Sequence, residues 1–226
     1  MACAPASDSR DLLLFERRLA EGGLRRIAGV DEAGRGPLAG PVVAAAVVFP
    51  LEWILGGLPD ELRGLNDSKQ VTVSRRETFH EFLTRNATVA WKVAVVEPVE
   101  IDRLNILRAT HAAMVQAISG LPDPAAEHVL VDGLRVDAIS TDQTALVRGD
   151  SRSYSIAAAS ILAKVTRDRL MVALDATWPG YGFARHKGYP TPDHLAALRR
   201  LGACPAHRRS FAPVSSLDHQ PELFRS

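Results

Sequence analysis

Hydrophobic and polar positions switch between two periods along this chain. Over residues 26–33 and again over 41–49, Val, Ala and Ile follow one another with little polar interruption, as strands covered on both faces do. A glycine-rich turn separates them. Ahead of the first, residues 11–20 carry a helical repeat closed by Gly22 and Gly23. The Gly, Pro, Asn and Asp content of residues 51–68 predicts a loop, and a helical repeat resumes over 72–85 before a third strand at 88–96. Residues 98–102 read as a helix start. In residues 105–118, Ile106, Leu107, Thr110, Met114, Val115 and Ile118 share one helical stripe. Short strands at 128–131 and 144–147 each run toward an acid. Residues 155–175 form the longest helical pattern, stopped by Trp178-Pro179-Gly180, and a basic segment follows with a helix at 192–201. Three strands joined by short loops, then strands alternating with helices, predict an α/β fold: a mixed five-stranded sheet flanked by helices, with a helical C-terminal segment. The expected organisation is a lead-in with one helix (1–24), a catalytic domain (25–213) and a polar tail (214–226).

Composition narrows the class. Of 226 residues, 46% are hydrophobic and 23% charged, the balance of a globular domain. The longest apolar run, residues 41–51, is far shorter than the roughly 18 residues that span a bilayer, and residues 1–10 hold no apolar signal core, so a cytoplasmic location is expected. The two cysteines, Cys3 and Cys204, support neither a disulfide framework nor a zinc knuckle. Residues 1–150 hold 16 Lys and Arg against 21 Asp and Glu, whereas residues 151–226 hold 11 against 5. A net charge of −5 is thus set beside one of +6, a distribution suited to carboxylates that hold cations next to a surface that holds an anionic polymer.

The candidate chemistry lies in four acids at the ends of strands or starts of helices: Asp31, Glu32, Asp132 and Asp150. Strand ends converge at one edge of an α/β sheet, so acids distant in sequence meet there. Clustered carboxylates are either raised in pKa or neutralised by cations, and oxygen ligands without Cys or His select Mg²⁺ or Mn²⁺. Taken singly, Asp132 before Gly133 is an ordinary turn, and Asp150 stands where a helix N-cap belongs. Asp31 and Glu32 are harder to assign to structure, because they interrupt a strand that otherwise reads as core. Strand alternation would let just one of the two face such a cluster. Gly34, Arg35 and Gly36, with Ala39 after them, match a dinucleotide-binding pattern formally. That reading fails because a strand, not a helix, follows and because two acids would repel a pyrophosphate. A turn offering backbone N–H groups and one guanidinium suits a phosphodiester.

Residues 29–43, Gly-Val-Asp-Glu-Ala-Gly-Arg-Gly-Pro-Leu-Ala-Gly-Pro-Val-Val, resemble the N-terminal signature of bacterial ribonuclease HII. The resemblance continues through Leu65-Asn66-Asp67-Ser68-Lys69, Glu100-Ile101-Asp102, Val131-Asp132-Gly133, Gly149-Asp150-Ser151, residues 157–168, His186-Lys187-Gly188-Tyr189 and His207-Arg208-Arg209-Ser210-Phe211. It implies an RNase H-like fold with a metal site at Asp31, Glu32, Asp132 and Asp150 and with Mn²⁺ or Mg²⁺ as cofactor. It further implies that Gly34, Arg35 and Gly36 contact the 2′-hydroxyl and phosphates of a ribonucleotide, that Tyr189 packs at the junction with the next deoxyribose, and that Lys69 and Lys187 bind substrate. The implied activity is two-metal-ion hydrolysis of the RNA strand of RNA-DNA hybrids, and of ribonucleotides embedded in duplex DNA, leaving 3′-hydroxyl and 5′-phosphate ends. Excision of misincorporated ribonucleotides by a monomeric enzyme is the implied role. Two other readings fit less well. The sister ribonuclease HIII carries an additional N-terminal substrate-binding domain, whereas the first strand here opens near residue 26; a non-catalytic nucleic-acid-binding module leaves the four acids unexplained. Gln220-Pro221-Glu222-Leu223-Phe224 resembles the short peptide by which bacterial replication proteins dock on the sliding clamp, and Leu223 and Phe224 otherwise fold back onto the body.

Overall fold

The structure is a computed structural model describing residues 11–217. Helix α1 (Leu14–Glu21) precedes β1 (Ile27–Ala33) and β2 (Val42–Val48), which form a hairpin. Then come α2 (Leu51–Gly56), a 3-10 turn at Asp60–Leu62, α3 (Val73–Arg85), β3 (Ala90–Val96), α4 (Pro98–Leu104) and α5 (Ile106–Ser119). The second half holds β4 (His128–Asp132), β5 (Gln143–Leu146), a 3-10 turn at Gly149–Ser151, α6 (Tyr154–Thr177), α7 (Phe183–His186), α8 (Pro192–Leu201) and α9 (Val214–Leu217).

The five strands lie in the order β3-β2-β1-β4-β5. β1 pairs antiparallel with β2 and β2 with β3, while β1–β4 and β4–β5 are parallel. The mixed sheet expected from the sequence is therefore present. β2 is buried at every position, since its alternate residues serve two cores. Val43, Ala45 and Val47 join the layer containing α3 and α6, and Val42, Ala44, Ala46 and Val48 join the layer under α5.

Two expectations need correction. Residues 51–68 are not all loop: Pro50 has the extended backbone of a helix N-cap and Ile54 is fully buried in α2, so one anchored turn outweighs the surrounding Gly and Pro content. Consequently β2 and β3 are not joined by a short loop, because α2 and α3 cross one face between them.

Helix α6 sets the geometry of the site. Its start lies so close to β1 that a Cβ on Gly29 would come within 2.1 Å of the Ser155 carbonyl carbon, a distance that excludes every other residue type. Ser153, not Asp150, caps it, its hydroxyl accepting from the Ile156 N–H at 3.2 Å. Glu16 of α1 adds a second cap from outside the helix. Its carboxylate accepts from the Ser153 hydroxyl at 2.6 Å and from the Ser155 N–H at 3.0 Å, fully buried.

The C-terminal segment packs on α6 through Met171, Tyr181, Phe183, Ala197 and Cys204. Within it, His194 Nε2 lies 3.1 Å from His207 Nε2. His207 Nδ1 accepts from the Cys204 N–H at 3.1 Å, which leaves its proton on Nε2 and makes it the donor to His194. His194 Nδ1–H then donates to the Tyr189 carbonyl at 2.9 Å. Val214 is fully buried against Leu38 and Leu198, so packing continues past residue 213, where the sequence reading starts the tail. Cys3 and the Gln220–Phe224 motif lie outside the described residues, and among those described no helix is long and apolar enough to cross a membrane.

Candidate active site

The parallel pairing of β1 with β4 runs from Ile27 opposite His128 to Val30 opposite Val131. One residue further, each strand carries an acid. Residues in register on parallel strands share a face, so Asp31 and Asp132 emerge side by side on the α6 side. Asp150 reaches them from the 3-10 turn after β5, where Arg148 in the left-handed region (φ 57°) reverses the chain. The Gly149 N–H donates to Asp132 Oδ1 at 2.6 Å and joins that turn to the end of β4. The fourth acid, Glu32, belongs by alternation to the other face. It lines the same pocket all the same: pairing with β4 ends at Val30, although pairing with β2 runs on to Ala33, and Arg35 Nη1 lies 3.3 Å from its Oε1.

All four acids line one pocket of about 320 Å³ together with Gly34, Arg35, Gly36, Lys69 and Tyr189. Burial raises the Asp31 pKa well above the ordinary carboxylate range, and repulsion from Glu32 and Asp132 adds to it. Glu32 is raised by burial too, although Arg35 opposes the shift. Asp150 is pushed to about 6 by burial and then by Asp67 and Asp132, against the pull of Lys69. Carboxyls held up in this way lack positive charge, and their all-oxygen donor set fits hard divalent cations. As placed, no three His, Cys, Asp or Glu side chains among the described residues form a ready-made ligand cluster. The reason is visible in their partners: one Asp132 oxygen is taken by Gly149, Asp31 Oδ1 accepts from the Glu32 N–H at 2.6 Å, and Glu32 leans to Arg35. A cation held by these acids would need them to exchange these partners for it.

Lys187 is not brought into this pocket. Its side chain lines an adjoining groove with Arg76, Lys164 and Arg185, and its ammonium donates to the Ala184 carbonyl. Four polar residues of the pocket were not singled out as site residues from sequence: Ser68 and Ser160, joined hydroxyl to hydroxyl at 3.0 Å, and Lys164 and Arg167 of α6; nor was Asp67, which acts on Asp150 from beside the pocket. Asp67 and Ser68 fall in the Asn66-Asp67-Ser68-Lys69 block, a signal that was present. Ser160, Lys164 and Arg167 fall in the block of residues 157–168, a signal likewise present; what the sequence does not show is which groups Arg167 holds, since two of its partners lie 126 and 128 residues away.

A mixed sheet with two antiparallel and two parallel pairings, flanked by helices, is the arrangement of an RNase H-like fold. The family model described as Ribonuclease HII matches residues 28–214. A ribonuclease HII of Anaeromyxobacter sp. (strain Fw109-5) is 53% identical over 205 residues, covering 91% of this chain. The chain spans 62% of that relative's length. Among solved structures, ribonuclease H2 of Pyrococcus horikoshii OT3 superposes with a TM-score of 0.69 at 28% identity, over 85% of this chain and 97% of the other. The RNase HII of Archaeoglobus fulgidus, solved as a PCNA:RNase HII complex, gives 0.62 at 25% identity over 82% and 95%. The chain belongs to the ribonuclease HII family.

Proposed function

We propose that the chain is a metal-dependent endoribonuclease that hydrolyses the RNA strand of RNA-DNA hybrids and cuts at ribonucleotides embedded in duplex DNA, leaving 3′-hydroxyl and 5′-phosphate ends. The observation that carries this reading is the presence of Asp31, Glu32, Asp132 and Asp150 in one pocket with the Gly34–Gly36 turn and Tyr189. The four carboxylates would hold two Mg²⁺ or Mn²⁺ ions. The chemistry such ions supply when bound is activation of water and neutralisation of charge on the departing 3′ oxygen. The protein's own part is to orient the strand. Gly34, Arg35 and Gly36 take the ribonucleotide's 2′-hydroxyl and flanking phosphates, Tyr189 packs its half-exposed ring on the following sugar, and Lys69 with Lys164 adds positive charge at the rim. The 2′-hydroxyl is the group by which ribose is told from deoxyribose. Removal of misincorporated ribonucleotides from DNA is the corresponding role.

Incubation with a duplex bearing one ribonucleotide, in Mg²⁺, in Mn²⁺ and in EDTA, tests the reading. A mapped cut beside the ribonucleotide that needs either ion supports it. No cleavage in both metals, or cleavage that survives EDTA, refutes it.

A partner belongs to the same proposal. Gln220 to Phe224 would dock on a sliding clamp, a reading supported by the motif itself and by the Archaeoglobus fulgidus relative having been solved with PCNA. Clamp binding that is absent, or indifferent to Leu223→Ala and Phe224→Ala, overturns it.

A further inference from the structure

Two buried arginines pack against the Gly34–Gly36 turn: Arg208, 0% exposed, from behind it, and Arg167, 1% exposed, from beside it at the wall of the pocket. Among the described residues neither forms an ion pair with a carboxylate. Asp102 attracts Arg208 from a distance, but its oxygens accept from the N–H groups of Arg209 and Ser210 at 2.8 and 2.9 Å. Each guanidinium is bonded instead to three main-chain carbonyls. Arg208 donates to Gly34 at 2.6 Å, Arg35 at 2.9 Å and Gly40 at 3.0 Å. Arg167 donates to Pro41 at 2.9 Å, Lys187 at 3.1 Å and Ala39 at 3.2 Å. Gly34 is held from both sides: a Cβ there would come within 2.0 Å of Arg167 Nε, while its carbonyl faces Arg208.

Buried cations with neutral partners are a poor device for stability, because apolar side chains of equal volume fill such space at lower cost. Their effect on the turn is specific. In a trans peptide the N–H points opposite to the C=O of the preceding residue. Carbonyls of Gly34 and Arg35 aimed at Arg208 therefore turn the N–H groups of Arg35 and Gly36 away from it, on the side where the turn lines the pocket. Neither N–H has an acceptor among the described residues. Two adjacent N–H groups with the same aim form an anion-binding concavity.

We propose that Arg208 and Arg167 are positioning residues for the substrate phosphodiester, which hold the Arg35 and Gly36 N–H groups toward the pocket and back them with two buried positive charges. The inference rests on the turn being the ribonucleotide-binding element. It adds that the turn's recognition geometry is set by the residues packed against it, chiefly Arg208 from behind.

The test compares the wild-type full chain with Arg208→Lys, which keeps a cation but loses the guanidinium fork. With the single-ribonucleotide duplex, KM is expected to rise about tenfold while kcat stays within about threefold. A supporting role confined to the fold would lower the melting temperature and the active fraction, hence kcat, and leave KM unchanged; that result in a folded variant overturns the proposal. A second measurement needs neither a variant nor activity. Titration of the wild-type protein with inorganic phosphate, followed by amide NMR, is expected to shift the Arg35 and Gly36 resonances, and no response at either amide overturns the proposal. Wild-type protein that fails to cleave while these amides respond to phosphate counts against the proposed activity and not against the anion site.

Discussion

The Gly149 N–H and Asp132 Oδ1 are 2.6 Å apart, and through that bond the end of β4 and the turn carrying Asp150 become one unit. One Asp132 oxygen is thereby fixed in structure. The other is the one that would serve a cation in the proposed activity.

Asp132→Asn keeps the oxygen that Gly149 needs and removes the charge. The variant is expected to fold normally, to bind hybrid, and to lose at least about two orders of magnitude of cleavage rate, more than the loss typical of altering a group behind the ligands. Asp150→Asn is expected to behave alike. Rates within a few-fold of wild type in both variants would remove these acids from the site.

Cation binding should also register in stability. Mg²⁺ or Mn²⁺ relieves the repulsion among Asp31, Glu32, Asp132 and Asp150, so the melting temperature is expected to rise with ion concentration by a few degrees. In Asp132→Asn the rise should shrink. An unchanged melting temperature in wild type across millimolar ion would contradict metal binding at these acids.

Tyr189→Ala is expected to cost about tenfold on a duplex with one ribonucleotide, the range of a lost ring-stacking contact, and less on a continuous hybrid. A lone ribonucleotide must be located by its junction with deoxyribose; a hybrid need not. Equal losses on the two substrates would reduce the ring, 43% exposed at the pocket rim, to packing.

Acid should loosen the C-terminal segment through His207. Burial, then His194, holds its pKa down to about 4 from an ordinary 6.5. Between these values the unfolded chain binds the extra proton, so this contribution is full above pH 6.5 and is lost as pH falls to 4, about 3 kcal/mol. The raised carboxyls act in the opposite sense. The relevant quantity is therefore the stability of wild type relative to His207→Gln, expected to decline across that window; a constant difference would show that His207 does not titrate abnormally.

Glu16 gives the opposite sign. Burial raises its pKa, against the pull of Ser153 and Ser155. Its stabilising contribution is present below the ordinary value of 4.5 and is lost as pH rises through the folded value. Glu16→Gln keeps an acceptor and cannot ionise, so its stability relative to wild type should improve as pH rises from 4.5 toward neutrality. Parallel pH curves for the two proteins would contradict a raised Glu16.

The Val and Ala runs of β1 and β2 were legible because a strand covered on both faces has no polar positions, and the acids were legible because they break those runs. Helix α2 was not legible, since Ile54 and Trp53 are diluted by Gly and Pro neighbours. Asp150 looked like a cap because an Asp between a strand and a helix has the same local chemistry in either role; Ser153, three residues on, takes the cap. Strand alternation alone puts Asp31 and Glu32 on opposite faces; that both line one pocket was not legible because it depends on β1 losing its β4 neighbour after Val30 while β2 stays paired through Ala33. Arg167 and Arg208 were invisible as partners of the Gly34 turn because nothing in sequence links residues separated by as many as 174 positions.

Glu16 and Ser153 are 137 residues apart, and the Leu12 carbonyl that accepts from the Tyr154 N–H is as remote from its donor. On a ribosome, α1 leaves the exit tunnel long before the residues that will enclose its carboxylate have been polymerised. Contacts of such span close late, after local structure has shortened the effective loop. The helix made early can be held early only by near partners, as Arg17 is by the Ile54 carbonyl at 2.8 Å, and its buried carboxylate waits for Ser153.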